Sequence, residues 1–359
     1  MTTRRGFVTG VLASGLVPGS AWSDIANPAF LSAAQTPDGS YHLFGLGIDG
    51  QVQFSQPLPG RGHAGAAHPH RAEAVAFARR PGRFAYVLNC STGTVSAEIQ
   101  APEGRHFCGH GAFSADGSYL YTPENDYGAG QGVIGVWDSR NGYRRVSEFS
   151  SRGVGPHDIA RLPGADCFVI ANGGIETHPE TGRTKLNLPT MRPNLSYITG
   201  TGDLLETVEL DATYRLNSIR HLSVRADGLV AFGMQWQGDK AALPKLVGFH
   251  RMGGDLQLAD APQDAVAWMN GYIGSVVFSG DGTQVAVSSP RGGMVQLFDS
   301  QTQAFIAGVQ AKDVCGVGRG QGGFVMSTGT GEFIALRDGR AVVKRRQNVN
   351  WDNHLVPVS

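Results

Sequence analysis

The sequence predicts an all-β protein, a single seven-bladed β-propeller, from its composition, its short β-rich runs and a repeat. The 359 residues include 51 Gly and 18 Pro, too many turn formers for long helices. Hydrophobic residues make up 41% of the chain, enough to bury a core. Short runs rich in strand-forming residues lie between turn sequences such as Asp-Gly and Pro-Gly, which favour hairpins. These turns return every 40 to 60 residues or so, which is roughly the period of a propeller blade.

The first 23 residues are predicted to be a targeting segment. Arg4 and Arg5 precede an apolar stretch, residues 7–18, that is too short to span a bilayer. Small residues follow, so the pattern indicates a twin-arginine export signal; the alternative is an uncleaved terminal segment. The chain would then comprise a signal at 1–23 and a propeller domain at 24–359, located in the periplasm.

The strand-sized runs follow one another from the signal to the C-terminus. The clearest runs are residues 118–122, 133–137, 167–171, 229–234, 275–279, 284–289, 294–298 and 324–327. Three more runs, residues 30–35, 41–48 and 51–58, precede the first complete repeat. The last residues, 354–359, can form only one strand. We therefore expect the last blade to close with one C-terminal strand and three N-terminal strands.

The turns align five segments in one frame. A residue seven positions before a turn glycine begins each segment, and the pairs are His110 with Gly117, His157 with Gly164, His221 with Gly228, Ser275 with Gly282, and Cys315 with Gly322. His63 and His354 fit the same role at the two ends. Seven such starts predict seven blades.

The first positions of the innermost strands should face one another at one mouth of the central channel. Five of the seven are histidine, although the chain has only 11 His. The candidate metal ligands are His63, His110, His157, His221 and His354, with Cys315 as a possible soft ligand. Imidazole suits iron, copper, zinc and nickel, and we expect iron or copper. The alternative is that each His hydrogen-bonds a neighbouring blade and caps the channel with water.

Further candidates lie in loops that open on the same face and beside the first positions. They are Glu124, Asn125, Asn172, Arg220, Gln235, Ser275, Arg291, Asp313 and Asp352. Carboxylates commonly orient metal-bound imidazoles, and Glu124 could also be a ligand or a general base. The turn-rich insertion at residues 173–194 is either a surface loop or a lid over the mouth.

Charge and cysteine content restrict the partners. Thirty Lys and Arg balance thirty Asp and Glu, so we expect no nucleic-acid partner and no stable membrane insertion. We also expect a monomer. The four cysteines have no CxxC spacing, so neither a zinc ribbon nor a thioredoxin motif is present, and one disulfide is permitted but not required.

Seven short segments carry a family resemblance. They are LPGRGH (58–63), ARRPG (78–82), CGHGAFS (108–114), NGGI (172–175), SIRHL (218–222), DVCG (313–316) and WDNHL (351–355). Together they resemble an uncharacterised family of exported bacterial β-propellers, of the domain of unknown function 1513 type, over essentially the whole mature chain. Genes of such proteins often lie beside imelysin-type and cytochrome-peroxidase-type genes. The resemblance implies an association with iron or haem metabolism and periplasmic iron-uptake proteins as partners, but no reaction.

A second resemblance, in architecture only, is to nitrous oxide reductase, whose seven-bladed propeller carries a copper cluster on seven histidines. Ser275 and Cys315 stand where two of those histidines would be, so a cluster of that kind is not expected. Two other functions stay open beside metal binding: a metal-independent lactonase-like or lyase-like enzyme with a His base, and a protein-interaction scaffold.

The export signal gives the first testable prediction. Replacing Arg4 and Arg5 together by Lys should leave the protein in the cytoplasm, because the export machinery reads the paired arginines. Cell fractionation and immunoblotting would measure this, and normal periplasmic accumulation of the variant would contradict the assignment.

Overall fold

The chain forms seven antiparallel sheets arranged as the blades of a propeller, as predicted. The structure is a computed structural model and describes residues 28–164 and 166–358. The N-terminal export signal predicted at 1–23 lies outside the described residues. In blades 1 to 6 the chain runs as a meander with its first strand innermost, whereas in blade 7 the innermost strand comes from the C-terminus.

Chain order gives the strands of the first half. The N-terminal strands are β1 (Phe30–Gln35), β2 (Tyr41–Leu46) and β3 (Val52–Leu58). Blade 1 contains β4 (Gly62–Ala67), β5 (Glu73–Ala78), β6 (Phe84–Asn89) and β7 (Thr94–Gln100). Blade 2 contains β8 (Arg105–Phe107), β9 (Ala112–Phe113), β10 (Tyr119–Asp126), β11 (Gln131–Asp138) and β12 (Arg144–Ser150). Blade 3 contains β13 (Pro156–Arg161), β14 (Cys167–Asn172), β15 (Asn194–Thr199) and β16 (Leu204–Glu209).

The second half continues the same pattern. Blade 4 contains β17 (Asn217–Val224), β18 (Val230–Trp236), β19 (Val247–His250) and β20 (Gln257–Leu258). A short helix, α1 (Gln263–Trp268), connects it to blade 5, which contains β21 (Ser275–Phe278), β22 (Gln284–Ser289), β23 (Met294–Asp299) and β24 (Phe305–Gln310). Blade 6 contains β25 (Val314–Gly320), β26 (Gly323–Thr328), β27 (Glu332–Arg337) and β28 (Arg340–Arg346). Blade 7 combines β1, β2 and β3 with β29 (Asn350–Trp351) and β30 (Val356–Pro357).

The turn glycines used to align the repeats have the conformation that the alignment implied. Gly117, Gly164, Gly228, Gly282 and Gly322 all have positive φ, between 69° and 85°. Side chains with a Cβ rarely adopt this left-handed region. The hairpin after the innermost strand of blades 2 to 6 therefore favours glycine at this point, which is why the frame was readable in the sequence.

The hydrophobic core lies between the faces of adjacent blades. Phe77 of blade 1 packs edge-on against Phe107 of blade 2, and Phe107 packs against Trp137. Between blades 2 and 3, Tyr121 contacts Phe168 with 4.3 Å between ring centroids. Among residues 28–164 and 166–358, no helix is long and apolar enough to cross a membrane.

The C-terminal residues close the ring on the N-terminal strand, as predicted. The innermost strand of blade 7 is split into β29 and β30, and both pieces pair with β1. Between them, the amide of Asp352 donates to the carbonyl of Ala33 at 2.8 Å, and Ser32 Oγ donates to the carbonyl of His354 at 2.8 Å. Ring closure and the placement of His354 therefore depend on the same contacts.

Trp351 anchors this closure and gives a second prediction. Its side chain is 3% exposed and meets Phe44 edge-on at 5.2 Å. Trp351→Ala should lower the free energy of unfolding by about 3–5 kcal/mol, because it leaves a cavity in the closing blade. Urea denaturation followed by fluorescence would measure the loss. Val342→Ala on exposed β28 is the control, and an equally small effect of both variants would show that the C-terminus does not stabilise the ring.

Candidate metal centre

Five histidines from five blades meet at one mouth of the channel. Their ring centroids lie 4.7 Å apart for His63 and His354, 4.8 Å for His157 and His221, and 5.1 Å for His110 and His157. All five rings belong to one network of such contacts, and His63, His110, His221 and His354 are buried while His157 is half-buried. The convergence predicted from the repeat frame is therefore present in the structure.

Local irregularities of the innermost strands lie at these positions. The pairing register shifts beside His63, at His157 and next to His221, and the strands that would carry His110 and His354 are interrupted there. Such bulges twist a strand and re-aim its side chains. These irregularities distinguish the histidine positions from a regular strand, in which side chains alternate between the two faces of the sheet.

The imidazole nitrogens form two overlapping sets of donor atoms. One set comes from His63, His110 and His157 and the other from His110, His221 and His354, and within each set the donor atoms lie within 4.8 Å of one another. A transition metal bound to imidazoles at about 2.0–2.1 Å holds its nitrogen ligands within roughly 4.2 Å. The sets therefore need only small side-chain adjustments to hold an ion.

Several of these nitrogens have no hydrogen-bond partner among the described residues. They are Nε2 of His110, His157 and His354 and both ring nitrogens of His221. A buried polar atom without a partner costs about 1–3 kcal/mol. Such atoms call for a partner that is not part of the chain, and an electron-pair acceptor such as a metal ion fits those nitrogens that carry a lone pair.

Two carboxylates contact the Nδ1 atoms of two of the histidines. His110 Nδ1 lies 3.1 Å from Asp158 Oδ1, and His63 Nδ1 lies 3.4 Å from Asp352 Oδ1. A carboxylate accepts the Nδ1 proton, so the lone pair of each neutral ring is on Nε2. Carboxylates bound to metal-ligating histidines have this role. Asp352 was among the sequence candidates, whereas Asp158 was missed.

His157 has a different neighbour. Arg220 Nη1 lies 3.5 Å from His157 Nδ1, and a guanidinium group can only donate. The neutral His157 ring therefore carries its proton on Nε2, the nitrogen that has no partner. Burial, reinforced by the charge of Arg80, lowers the pKa of Arg220 to about 9, so Arg220 is still charged at neutral pH.

Burial favours the uncharged form of four of these imidazoles. It lowers the pKa of His63 to about 4 and holds the pKa values of His157, His221 and His354 well below the usual 6.5, with the neighbouring imidazoles adding to the effect. Burial opposes ionisation of Asp352, but the hydrogen bond with His63 and the charges of nearby arginines outweigh it and hold the pKa of this carboxyl below its usual range. Neutral imidazoles are the form that binds metals.

Cys315 and its neighbours lie apart from the two donor sets. The Cys315 thiol donates to the carbonyl of Asp313 at 3.3 Å, and burial raises its pKa to about 12. Cys315, Asp313 and one face of Asp352 line a separate cavity of about 360 Å³. Ser275 Oγ accepts the amide of Val317 at 3.3 Å and so joins blade 5 to blade 6. All four cysteines are free and buried.

Three other sequence candidates make structural contacts, Glu124 within blade 2 and Asn125 and Asn172 between blade 2 and blade 3. Glu124 is fully buried and accepts from Arg145 Nη1 at 2.6 Å. Asn125 Nδ2 donates to the carbonyl of Thr177 at 3.1 Å, and Asn172 Nδ2 donates to that of Ser151 at 2.9 Å. Burial raises the pKa of Glu124, although Arg145 opposes this. None of the three lines the mouth.

A cavity of about 390 Å³ opens above the cluster, and His63, His157 and His221 form part of its wall. Gln235 and Arg291, both sequence candidates, line it. The insertion at 173–194 also reaches it, through Ile175, Thr177, Arg183 and Lys185. The insertion therefore forms part of the wall of the mouth.

Cationic residues of this cavity were missed by the sequence analysis. Arg79 and Arg80 follow β5, in the loop between the second and third strands of blade 1, and both line the cavity. The rule that pointed to Gln235 and Arg291, which concerns loops after second strands, would have found them. Arg183 and Lys185 had no such signal, because nothing in the frame locates residues inside an insertion.

Comparison with known proteins identifies the family. A family model described as a protein of unknown function, DUF1513, matches residues 56–358. This chain belongs to the DUF1513 family. No curated protein matches it. Among solved structures, the DUF1513 chain is similar to hydrazine synthase of Kuenenia stuttgartiensis, with a TM-score of 0.59 and 14% identity over 96% of this chain and 100% of the other. At that identity, the likeness shows the fold alone.

The depressed histidine pKa values give a third prediction. Below about pH 6.5 the unfolded chain binds protons at these imidazoles while the folded DUF1513 protein does not, so the free energy of unfolding must fall as pH decreases. Each histidine that stays neutral lowers it by about 2 kcal/mol at pH 5. For His63 the loss stops near pH 4, where the folded protein also binds the proton.

Urea denaturation of the metal-free protein from pH 8 to pH 5 would measure this dependence. His221→Gln should make the pH dependence shallower by up to one proton, and His70→Gln serves as the control at an exposed position. Equal free energies of unfolding at pH 7 and pH 5 would show that the buried imidazoles are protonated in the folded protein.

Proposed function

We propose that the histidine cluster of this DUF1513 protein binds a transition-metal ion, iron or copper. The observation that carries the proposal is the set of buried ring nitrogens on His110, His221 and His354 that lack partners and belong to one donor set. Nitrogen-rich sites of neutral imidazoles suit iron and copper. Contacts between blades use only Nδ1 of His63, His110 and His157, so they leave other ring nitrogens of the cluster without a partner.

The contacts rank the candidate ligands. His63 and His110 are each held by a carboxylate that leaves the Nε2 lone pair available. His221 and His354 have unpartnered nitrogens in the same cluster. His157 must first exchange its proton or break its contact with Arg220. We therefore propose His63, His110, His221 and His354 as the principal ligands, with His157 as a fifth that the state of Arg220 controls.

The setting we propose is the periplasm, with a role in metal uptake or redox handling. The paired Arg4 and Arg5 ahead of a short apolar stretch support export. Periplasmic iron-uptake proteins are the proposed partners, and the protein is proposed to act as a monomer. A buried cluster of neutral ligands suits a carrier or a redox centre, because the ion is held by the chain and shielded from water.

Metal titration of the variants gives a fourth prediction. His110→Ala and His221→Ala should each weaken binding of Fe(II) or Cu(II) by about 100-fold or more, because each removes a donor. Asp158→Asn should weaken it by about 10–100-fold, because the carboxylate orients His110. Anaerobic calorimetry with Fe(II), Cu(II) and Zn(II), together with elemental analysis of protein from its native host, would measure this.

Two controls separate the ligands from other residues. Cys315→Ser should leave affinity nearly unchanged, because its thiol lies outside both donor sets. His250→Gln removes a buried His that is already bonded to Tyr197 and Gly254, so it tests for general damage to the fold. A folded wild-type protein that binds none of the three ions more tightly than about 10 μM, or roughly −7 kcal/mol, would refute the proposal.

A metal-independent enzyme is the second candidate, and one pair of residues favours it. His63 lines the mouth cavity and contacts Asp352, an arrangement that suits a general base oriented by a carboxylate. Glu124, the other base considered from the sequence, does not line that cavity. Failure of metal binding with an intact fold would make the His63 and Asp352 pair the site to test.

A further inference from the structure

The cavity above the histidines has an unusual charge. Besides Arg79, six cationic residues line it: Arg80, Arg183, Lys185, Arg220, Lys240 and Arg291. Its lining, as far as the described residues show, contains no Asp or Glu. The whole chain carries equal numbers of cationic and anionic residues, so this concentration is a local feature.

The contacts of these cations are mostly to neutral groups. Arg80 Nη1 reaches Thr177 Oγ1 at 3.5 Å, Lys240 Nζ donates to Asn270 Oδ1 at 2.8 Å, and the Arg291 guanidinium lies 4.3 Å above the ring of Tyr272. Arg79 is the exception, because it donates to both oxygens of Asp352 at 3.2 Å. The remaining positive charge is not compensated by the lining.

Arg220 gives the second, independent observation. Its side chain lines the cavity, the residue is only 6% exposed, and its Nε has no hydrogen-bond partner among the described residues. A buried guanidinium without a carboxylate is costly. The cost is removed when an anion enters the cavity and accepts hydrogen bonds from it.

We propose that this cavity binds a small oxyanion with two or more negative charges, either a polycarboxylate or a phosphate. Arg80 and Arg220 would bind it from the wall and Arg183 and Lys185 from the insertion at 173–194. Guanidinium groups match the oxygen pairs of both chemical groups. The volume of about 390 Å³ is near the lower end for ligand cavities and suits a small molecule.

The position of the cavity suggests what the anion does. Three imidazoles of the cluster, those of His63, His157 and His221, form part of its wall. An oxyanion held there would lie next to a metal ion on the histidines and could supply oxygen donors to it; this second step rests on the proposed metal binding. The metal would then enter or leave as an anionic chelate. Binding of the anion itself does not require the metal.

Calorimetry with citrate and with phosphate, on metal-free protein at constant ionic strength, tests the proposal and distinguishes its two chemical sources. We expect one of them to bind with a stoichiometry of one per chain, and acetate and chloride to bind at least 100-fold more weakly. The double substitution Arg183→Gln/Lys185→Gln leaves the histidines unchanged and should weaken anion binding at least tenfold. Arg340→Gln/Lys344→Gln removes the same charges from exposed β28 and should have no effect.

Arg220→Gln should weaken binding further, and circular dichroism would confirm that the variant is folded. Absence of binding by both citrate and phosphate, equal binding of acetate, or equal losses in the two double variants would overturn the proposal. Metal titration of the same proteins separates the two hypotheses. Anion binding without metal binding would refute the proposed function alone, whereas metal binding without anion binding would refute this inference alone.

Discussion

The burial of several neutral imidazoles against one another is the constraint on which the rest of the mouth depends. Each ring must stay uncharged, because like charges at 5 Å in a dry environment repel strongly, and burial does lower the pKa of His63 and its neighbours. Neutral rings in turn need partners for their nitrogens. Asp158 and Asp352 satisfy one nitrogen of two rings, and Nε2 of His110, His157 and His354 and both nitrogens of His221 have no hydrogen-bond partner among the described residues. The packing of the blades must therefore hold the histidine cluster in place at the channel wall.

The blades hold it through the same elements that close the ring. The segment between β29 and β30 brings Asp352 and His354 to the mouth while it hydrogen-bonds to β1. Asp352 also binds Arg61 and Arg79 of blade 1, so its carboxylate joins the two ends of the domain. Asp158 and Asp352 contact the Nδ1 atoms of His110 and His63, whereas the lining of the cavity that opens on the histidines is cationic and has no carboxylate among the described residues. The field at that opening therefore favours anions over free cations.

The sequence was sufficient for the fold because five of its repeats have, after the innermost strand, a turn that strongly favours glycine. Gly117 and its four equivalents have the positive φ that such a turn demands, so the frame and the blade number could be read from spacing. The convergence of the histidines then followed from topology. The individual side-chain contacts of the histidines could not be predicted from the topology. In a regular strand the side chains of Asp158 and His157 would point to opposite faces of the sheet. The shift of the pairing register beside Asp158 changes this arrangement. Such shifts depend on packing between strands, which no local pattern records. Cys315 occupies the same position in the repeat as the histidines, yet its thiol donates to the carbonyl of Asp313. This contact was not predictable for the same reason.

The ring of equivalent positions has a consequence for how such a site can change over time. Each blade supplies one residue at the mouth, and the blade itself is held by packing elsewhere, as the fully buried Phe278 of blade 5 and Phe324 of blade 6 illustrate. Ser275 and Cys315 occupy this position in those two blades, and their sheets are as complete as the others. A propeller of this kind can therefore gain or lose one histidine at a time by a single codon change, and the number of imidazoles in the cluster is adjustable independently of its architecture.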